Sequence, residues 1–479
     1  MKKQFLINIL LLVLLNALIK PFWVFGIDRT VQNMLGHQVY GLYFALFNFA
    51  ILFNTILDFG ITNFNNKSIA QNPQLISSYF PRLIYTKLLL GVVYLLICLA
   101  MAIFLNYNKT ALVLIGILAL NQFLASILLF LRSNISGLQL YLADSILSVV
   151  DRFFMVVLCS ALIWGKLVNV TFSIELFVLL QTFSYFLACF MALAIIYNHH
   201  GKFEFSGVPL FSRGLLFKSF PFALLGFLMA IHNRIDAVFL ERISSSGAYE
   251  AGIYAQSFRI FDAIGMIAVL FAALLLPMFA KQFSKGEDPR PLVKMAFSML
   301  FTSMVILVAN LVGFAFPILN FLYVDLVPKA VSVFILLMLT LIPVSLNYIF
   351  GTLLTAHGNL MHLNRIAGIT LIINIILNLV LIPMHGAVGA AISAFVSQLF
   401  ACLVQIFLCR KIFAFHITLD QSKQYLVFIV VTILMVFIFS QIQVSFLTGL
   451  IFSGTFSITI ALLFKMMNLR EIVRLIRAE

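Results

Sequence analysis

An all-α integral membrane fold of about fourteen spanning helices follows from three features of this 479-residue sequence. First, 63% of its residues are hydrophobic and 10% charged, where a soluble domain carries about 25% charged residues. Second, mean hydropathy is +1.12, more apolar surface than a water-facing shell can enclose. Third, the apolar residues run in continuous blocks of about 20, the length that crosses the hydrocarbon core as a helix. The alternating stretches of about ten residues that build a transmembrane barrel are missing. The same composition excludes disorder, a coiled coil and a secreted disulfide scaffold.

The spans follow in order. The first, 5–27, comes after Lys2 and Lys3 and resembles a signal peptide. It lacks a small-residue cleavage site and is matched by a later span, so it is read as retained. The second, 39–62, ends in Asp58-Phe59-Gly60-Ile61, and the third, 79–105, carries Lys87 near enough to its inner end to snorkel. Spans four to six cover 110–132, 140–164 and 172–198; seven and eight cover 215–240 and 252–277. Spans nine to twelve lie at 292–316, 330–356, 362–382 and 386–409, and the last two at 424–441 and 444–466. Pro277, Pro317, Pro343 and Pro383 inside or ending spans mark kinks or half-helix breaks. The small residues Gly386-Ala387-Val388-Gly389 favour close helix approach. Connections are mostly shorter than about 20 residues, which leaves no room for a soluble active site, so no enzyme is expected.

The five cysteines sit in apolar runs without CxxC or histidine companions and read as buried hydrophobes. The eight histidines lack ligand spacing, and no GxxxxGK[ST] loop occurs, so neither a metal nor a nucleotide cofactor is expected. A net charge of +14 would suggest nucleic acid in a soluble protein; here it is a topology signal. With the N-terminus inside, 20 of the 30 Lys and Arg fall on the inner side and 5 in outer loops, which places both termini in the cytoplasm.

The chain resembles itself at a shift of about 210 residues: Asp28 matches Asp236, Gly41-Leu42-Tyr43 matches Gly252-Ile253-Tyr254, and Gly137 matches Gly358. Six spans per copy make the repeats parallel, related by an axis along the membrane normal. The expected architecture is two pseudo-symmetric six-helix lobes, 1–200 and 201–411, around a central cavity. Two additional helices and a basic cytoplasmic tail fill 412–479.

Ionisable residues inside spans are costly unless they face protein or water, so they mark the pathway. Lys20, Arg234, Asp236, Arg259 and Asp262 are expected in the outer half of the membrane. Arg259 and Asp262, three apart on one helix, read either as an intrahelical pair or as a cavity cation with its tuning acid. Arg234 and Asp236 point about 200° apart and cannot satisfy each other. Asp151 and Arg152, adjacent at mid-span, are not expected to form a simple pair, and an interhelical bridge is their ordinary reading. Asp58, Lys67, Arg132 and Asp144 near inner ends read as interface anchors or, together, as a cytoplasmic entry site. Four cations (Lys20, Arg152, Arg234, Arg259) against three acids (Asp151, Asp236, Asp262) suggest an anionic cargo.

Three segments resemble polysaccharide-unit exporters: Asp58-Phe59-Gly60-Ile61; Arg234-Ile235-Asp236-Ala237-Val238 with Ala251-Gly252-Ile253-Tyr254-Ala255 and Phe258-Arg259; and Asn378-Leu379-Val380-Leu381-Ile382-Pro383 with His385-Gly386-Ala387-Val388-Gly389-Ala390-Ala391-Ile392. The resemblance is to the multidrug/oligosaccharidyl-lipid/polysaccharide exporter superfamily, and within it to Wzx-type flippases of O-antigen, capsule or exopolysaccharide repeat units. It implies a bacterial inner-membrane protein that moves an undecaprenyl-pyrophosphate-linked oligosaccharide to the outer leaflet by alternating access. It also implies membrane lipids and the repeat-unit polymerase as partners. A cation-coupled drug exporter would be expected to carry an acid in span one, where this chain has Asn16 and Lys20. A peptidoglycan-precursor flippase shares the span count and the need for cations. A repeat-unit polymerase would usually need a large outer loop.

Overall fold

A computed structural model describes residues 14–16, 18–165, 171–200, 213–325, 327–414, 419–442, 445–464 and 466. Lys2, Lys3, Lys166, Lys202, Lys465 and the basic tail with Arg470, Arg474 and Arg477 lie outside these residues. The regular elements described are all helical, and thirteen stretches are long and apolar enough to cross a membrane.

The first stretch, Leu14–Leu52, takes in the described part of the first expected span and 39–52 of the second. A π-helical segment, Phe22–Asp28, passes directly into α1 (Arg29–Leu52), which is kinked at Gly36 with φ 72°. The loop expected between the two spans is therefore helical up to Gly36, where two helices meet at a kink, because 28–35 contain no proline or glycine and the first residue tolerant of a left-handed φ is Gly36. The second span also ends earlier than expected. After Leu52 come a 3-10 turn (Asn54–Leu57) and two left-handed residues, Phe59 (φ 41°) and Gly60 (φ 82°), before α2 (Ile61–Gln71).

The remaining helices follow the hydropathy blocks. They are α3 (Ile76–Phe104), α4 (Lys109–Gly137), α5 (Tyr141–Ile163), α6 (Ile174–His200) and α7 (Arg213–Ile243). Then come α8 (Gly247–Lys285), α9 (Arg290–Gly313), a short α10 (Ala315–Leu322), α11 (Pro328–Ala356), α12 (Leu360–His385) and α13 (Ala387–Phe413). The chain continues with α14 (Leu419–Gln441) and α15 (Phe446–Leu463). Local chemistry sets several ends. The Asn108 side chain accepts from the Ala111 N–H at 2.8 Å to open α4, and Gly286 (φ 68°) closes α8. Pro277, Pro343 and Pro383 lie inside unbroken helices, so they do not produce half-helix breaks. The interruption near Pro317 falls at Phe314, between α9 and α10.

Packing divides the chain into two compact units, Met1–Glu241 and Arg242–Glu479, with the division at the end of α7. In the first unit α4 is the hub: it packs on α6, α2, α3, α1 and α5. Its core joins Ile61 and Ile69 of α2 and Phe80 and Leu83 of α3. To these it adds Phe130, Leu131 and Ile135 of α4, Leu147 of α5, and Ala188 and Ala192 of α6. In the second unit α11 is the hub against α8, α13 and α9, and α12 packs on α13. The pair α14–α15 covers α9 through Val305, Ile306, Phe428, Ile460 and Ala461. Elsewhere large apolar side chains stand exposed in rows, such as Leu89, Val92, Val93 and Leu96 on α3 and Val430, Leu434, Phe437 and Ile438 on α14. Such rows would drive aggregation in water and are the ordinary contact surface toward lipid. All five cysteines are buried and unbridged, as expected.

A polar, cation-rich site within the first unit

One cluster of charges in the first unit centres on Arg152. α5 carries it at mid-helix, and its Nε lies 3.6 Å from Asp151 Oδ2. Adjacent residues on a helix diverge by about 100°, yet the long arginine stem reaches back around the helix, so the two do pair. This corrects the expectation from helix geometry alone. The Arg152 guanidinium also lies over the Trp23 ring, 5.3 Å from its centroid, and 5.8 Å from the centroid of Tyr185 on α6. Trp23 is held by parallel stacking on Phe177 at 5.8 Å, and Phe177 receives the edge of Tyr43 at 5.5 Å. A planar cation on aromatic faces gains electrostatic attraction that strengthens as water is excluded.

Around this arginine lie Lys20, which feels the charges of Arg152, Asp151 and Arg132, and the pair Arg132–Asp144 at 2.8 Å. Asn16 Nδ2 donates to Ser148 Oγ at 3.0 Å, joining the first span to α5 on the same side. Lys20 thus groups with Arg152 and Arg132 of its own unit. The cluster sums three cations against two carboxylates, and its side chains are partly exposed: 27% for Arg152, 21% for Arg132 and 13% for Asp151. Ionisable groups within apolar helices are costly unless they face protein or water.

The other expected residues are described by their own contacts. Arg234 on α7 directs Nη1 to Asn48 Oδ1 of α1 at 3.5 Å, and Asp236, two residues on, is buried. Lys67 is exposed on α2. Asp58 has a role that the sequence concealed. It accepts an ion-paired hydrogen bond from Lys87 of α3, accepts from the Thr62 N–H at 3.2 Å, and takes the Thr62 hydroxyl. Lys87 is 1% exposed. It does not snorkel, because its ammonium also donates to the Leu57 carbonyl at 2.9 Å and to Ser126 Oγ at 3.1 Å. Leu57 is the last residue of the 3-10 turn, so Lys87 supplies a donor where the helix ladder has stopped. The Asp-Phe-Gly segment is therefore a pinned helix break.

In the second unit Arg259 is half-buried and Asp262 exposed on α8, just beyond the buried stretch from Glu250 to Phe258. Glu250, which hydropathy did not single out, is buried and binds three elements together. It accepts from Lys329 Nζ of α11 at 2.5 Å and from the Ala387 N–H that opens α13 at 2.7 Å. A Cβ at Gly386 (φ 58°) would sit 2.4 Å from that carboxylate, which explains the glycine more fully than helix approach does. Gly389 does serve close approach, since its Cβ would meet the Leu381 carbonyl at 2.3 Å. The signal for these partners was weak: Lys87 and Lys329 each lie within a turn or two of an expected span end, where cations are ordinary.

The fold is shared with characterised transporters. A lipid II flippase, MurJ, in an inward closed conformation superposes with TM-score 0.70 at 13% identity, over 97% of this chain and 100% of that one. An inward-facing multidrug resistance MATE transporter of the same exporter superfamily superposes with TM-score 0.54 at 16% identity, over 84% of this chain and 94% of that one. An outward-facing form gives TM-score 0.55 at 15% identity, covering 85% and 94%. No curated protein matches the chain in sequence. The family profile described as "Polysaccharide biosynthesis protein" matches residues 6–283, more than half of the chain and all of the first unit from residue 6 onward. The chain therefore belongs to the polysaccharide biosynthesis protein family.

Proposed function

We propose that this protein is a flippase that carries an undecaprenyl-pyrophosphate-linked oligosaccharide repeat unit, of O-antigen, capsule or exopolysaccharide type, from the cytoplasmic to the outer leaflet. The observation that carries the reading is the cluster of Lys20, Arg152 and Arg132 with the carboxylates Asp151 and Asp144, partly open among apolar helices. Such a site lowers the desolvation cost of a diphosphate, and Arg suits phosphate through its planar fork of donors. Family membership supports the oligosaccharide part of the reading.

In this account both termini are cytoplasmic in a bacterial inner membrane, and lobes 1–200 and 201–411 rock to give alternating access, with 412–479 appended. Arg234 and Arg259 add cations to the path, and Asp236 and Asp262 tune them or carry a coupling proton. Lys67 and Arg132 receive the headgroup at the cytoplasmic end, beside Asp58. Outward movement of the headgroup is downhill in an inside-negative potential by about 2.3 kcal/mol per charge per 100 mV. Membrane lipids surround the protein, and the repeat-unit polymerase acts next on its product.

Deletion with complementation tests this. Arg152→Ala and Arg259→Ala should each leave the protein in the membrane and reduce surface polysaccharide, measured by electrophoresis of surface glycolipid. Normal polysaccharide from both variants at native expression would sink the cationic-site reading. Lysis on depletion, with accumulated peptidoglycan precursor, would assign a peptidoglycan flippase instead.

A further inference from the structure

The contacts of Arg152 go beyond a positive charge. Its guanidinium lies over two rings from different elements, Trp23 ahead of α1 and Tyr185 on α6, and its Nε lies 3.6 Å from the Asp151 carboxylate. Trp23 is itself immobilised: it is buried and stacked on Phe177 with an interplanar angle of 5°. This spends two large aromatic side chains and a carboxylate on one side chain that stays 27% exposed. A lysine would satisfy a charge requirement with none of this, because an ammonium has neither a face to stack nor an edge to orient.

We propose that Trp23 and Tyr185 are positioning residues that fix the plane of the Arg152 guanidinium, so that the site recognises a diphosphate by directed hydrogen bonds in addition to charge. The proposal rests on the reading of this cluster as the headgroup site and names how that site recognises its ligand. Its consequence is that Arg152→Lys, which keeps the charge, loses most of the affinity. Removing one of the two ring contacts weakens binding without removing it, by roughly three- to thirty-fold, the range of one desolvated cation–π contact.

The chain has two tryptophans, Trp23 and Trp164, and Trp164 is exposed. A Trp164→Phe chain, purified whole in detergent, therefore reports from the ring under Arg152. Titration with inorganic pyrophosphate should change Trp23 emission saturably, with Tyr185→Leu weakening the apparent Kd about tenfold and Tyr185→Phe weakening it less. Arg152→Lys should weaken it by at least as much as Tyr185→Leu. Affinity for Arg152→Lys within about twofold of the parent would overturn the positioning role and leave charge alone as the determinant. Unchanged affinity for Arg152→Ala would overturn the headgroup reading itself, a separate result. If Arg152→Lys lowers the thermal midpoint, the comparison of Tyr185→Leu with Tyr185→Phe decides with the arginine in place. Equal Kd values there, both matching the parent, would likewise overturn the proposal.

Discussion

The first unit breaks its second helical run, whereas the second unit leaves the corresponding run intact. α1 stops at Leu52 and α2 resumes at Ile61, while α8, which opens with the matching Gly-aliphatic-Tyr triplet, continues for 39 residues through Pro277. A break inside an apolar slab exposes carbonyls that lipid cannot satisfy. The first unit answers with a buried lysine, whose ammonium reaches Leu57 O, Asp58 and Ser126 at once. The second unit has no such break to satisfy at that point, and its buried carboxylate, Glu250, is used at the start of α8 to join α11 and α13. The helix that follows differs too: α3 shows a broad apolar face, and its counterpart α9 is covered by α14 and α15. Two similar helix orders can thus diverge where one buried charge changes which backbone groups are accommodated.

The largest way to break this contrast is Lys87→Ala. It leaves Asp58 and the Leu57 carbonyl without their ammonium, and should cost about 3 kcal/mol, the low end for a broken buried pair because Asp58 retains 36% exposure. Thermal unfolding in detergent measures it, and Lys87→Met with Asp58→Asn should recover part of the loss. An undiminished midpoint for Lys87→Ala would show that the break does not depend on the lysine. Gly386→Ala should follow at about 2–3 kcal/mol, since it combines a left-handed φ of 58° with a methyl 2.4 Å from Glu250 Oε2. Pairing it with Glu250→Ala should shrink the effect to backbone strain, and an additive double mutant would refute the contact. Gly60→Ala is smaller, about 1 kcal/mol, because φ is 82° but nothing lies within 4 Å of the added methyl.

The smallest effect lies outside the spans. The Arg290 backbone N–H, followed by the Arg290 guanidinium, holds the Asp288 carboxyl below its ordinary range. A depressed carboxyl stabilises above its unfolded pKa and loses that contribution as pH falls through the folded one. Asp288→Asn should therefore differ from the parent at neutral pH and converge with it in acid. Because Asp288 is exposed, the difference should be small beside the other three, and a gap that widens in acid would contradict the assignment.

How far the sequence spoke depended on the kind of signal. Hydropathy blocks named the spans well, because lipid exposure selects apolar side chains residue by residue and proline cannot easily undo a helix that lipid enforces. The early end at Leu52 was not legible, since Asn54, Thr55 and Gly60 are each tolerated within membrane helices. The ions were found, but their partners were not. Asp58 stands out as a charge near a span end, but Lys87 reads as a surface cation; a helical wheel separates Arg152 from Asp151 because it ignores a long flexible stem.

The sequence by itself therefore determined that this is a multi-pass helical membrane protein with about fourteen spans and an excess of cations among the charges inside them. Those properties are sums over single residues, each choosing between lipid and water. Tertiary structure alone decided that Lys20 joins Arg152, that Trp23 and Tyr185 clasp the guanidinium, and that Lys87 closes the break at Leu57. These depend on how each helix is rotated and how far side chains reach across to the next, and a one-dimensional record of polarity does not contain either quantity.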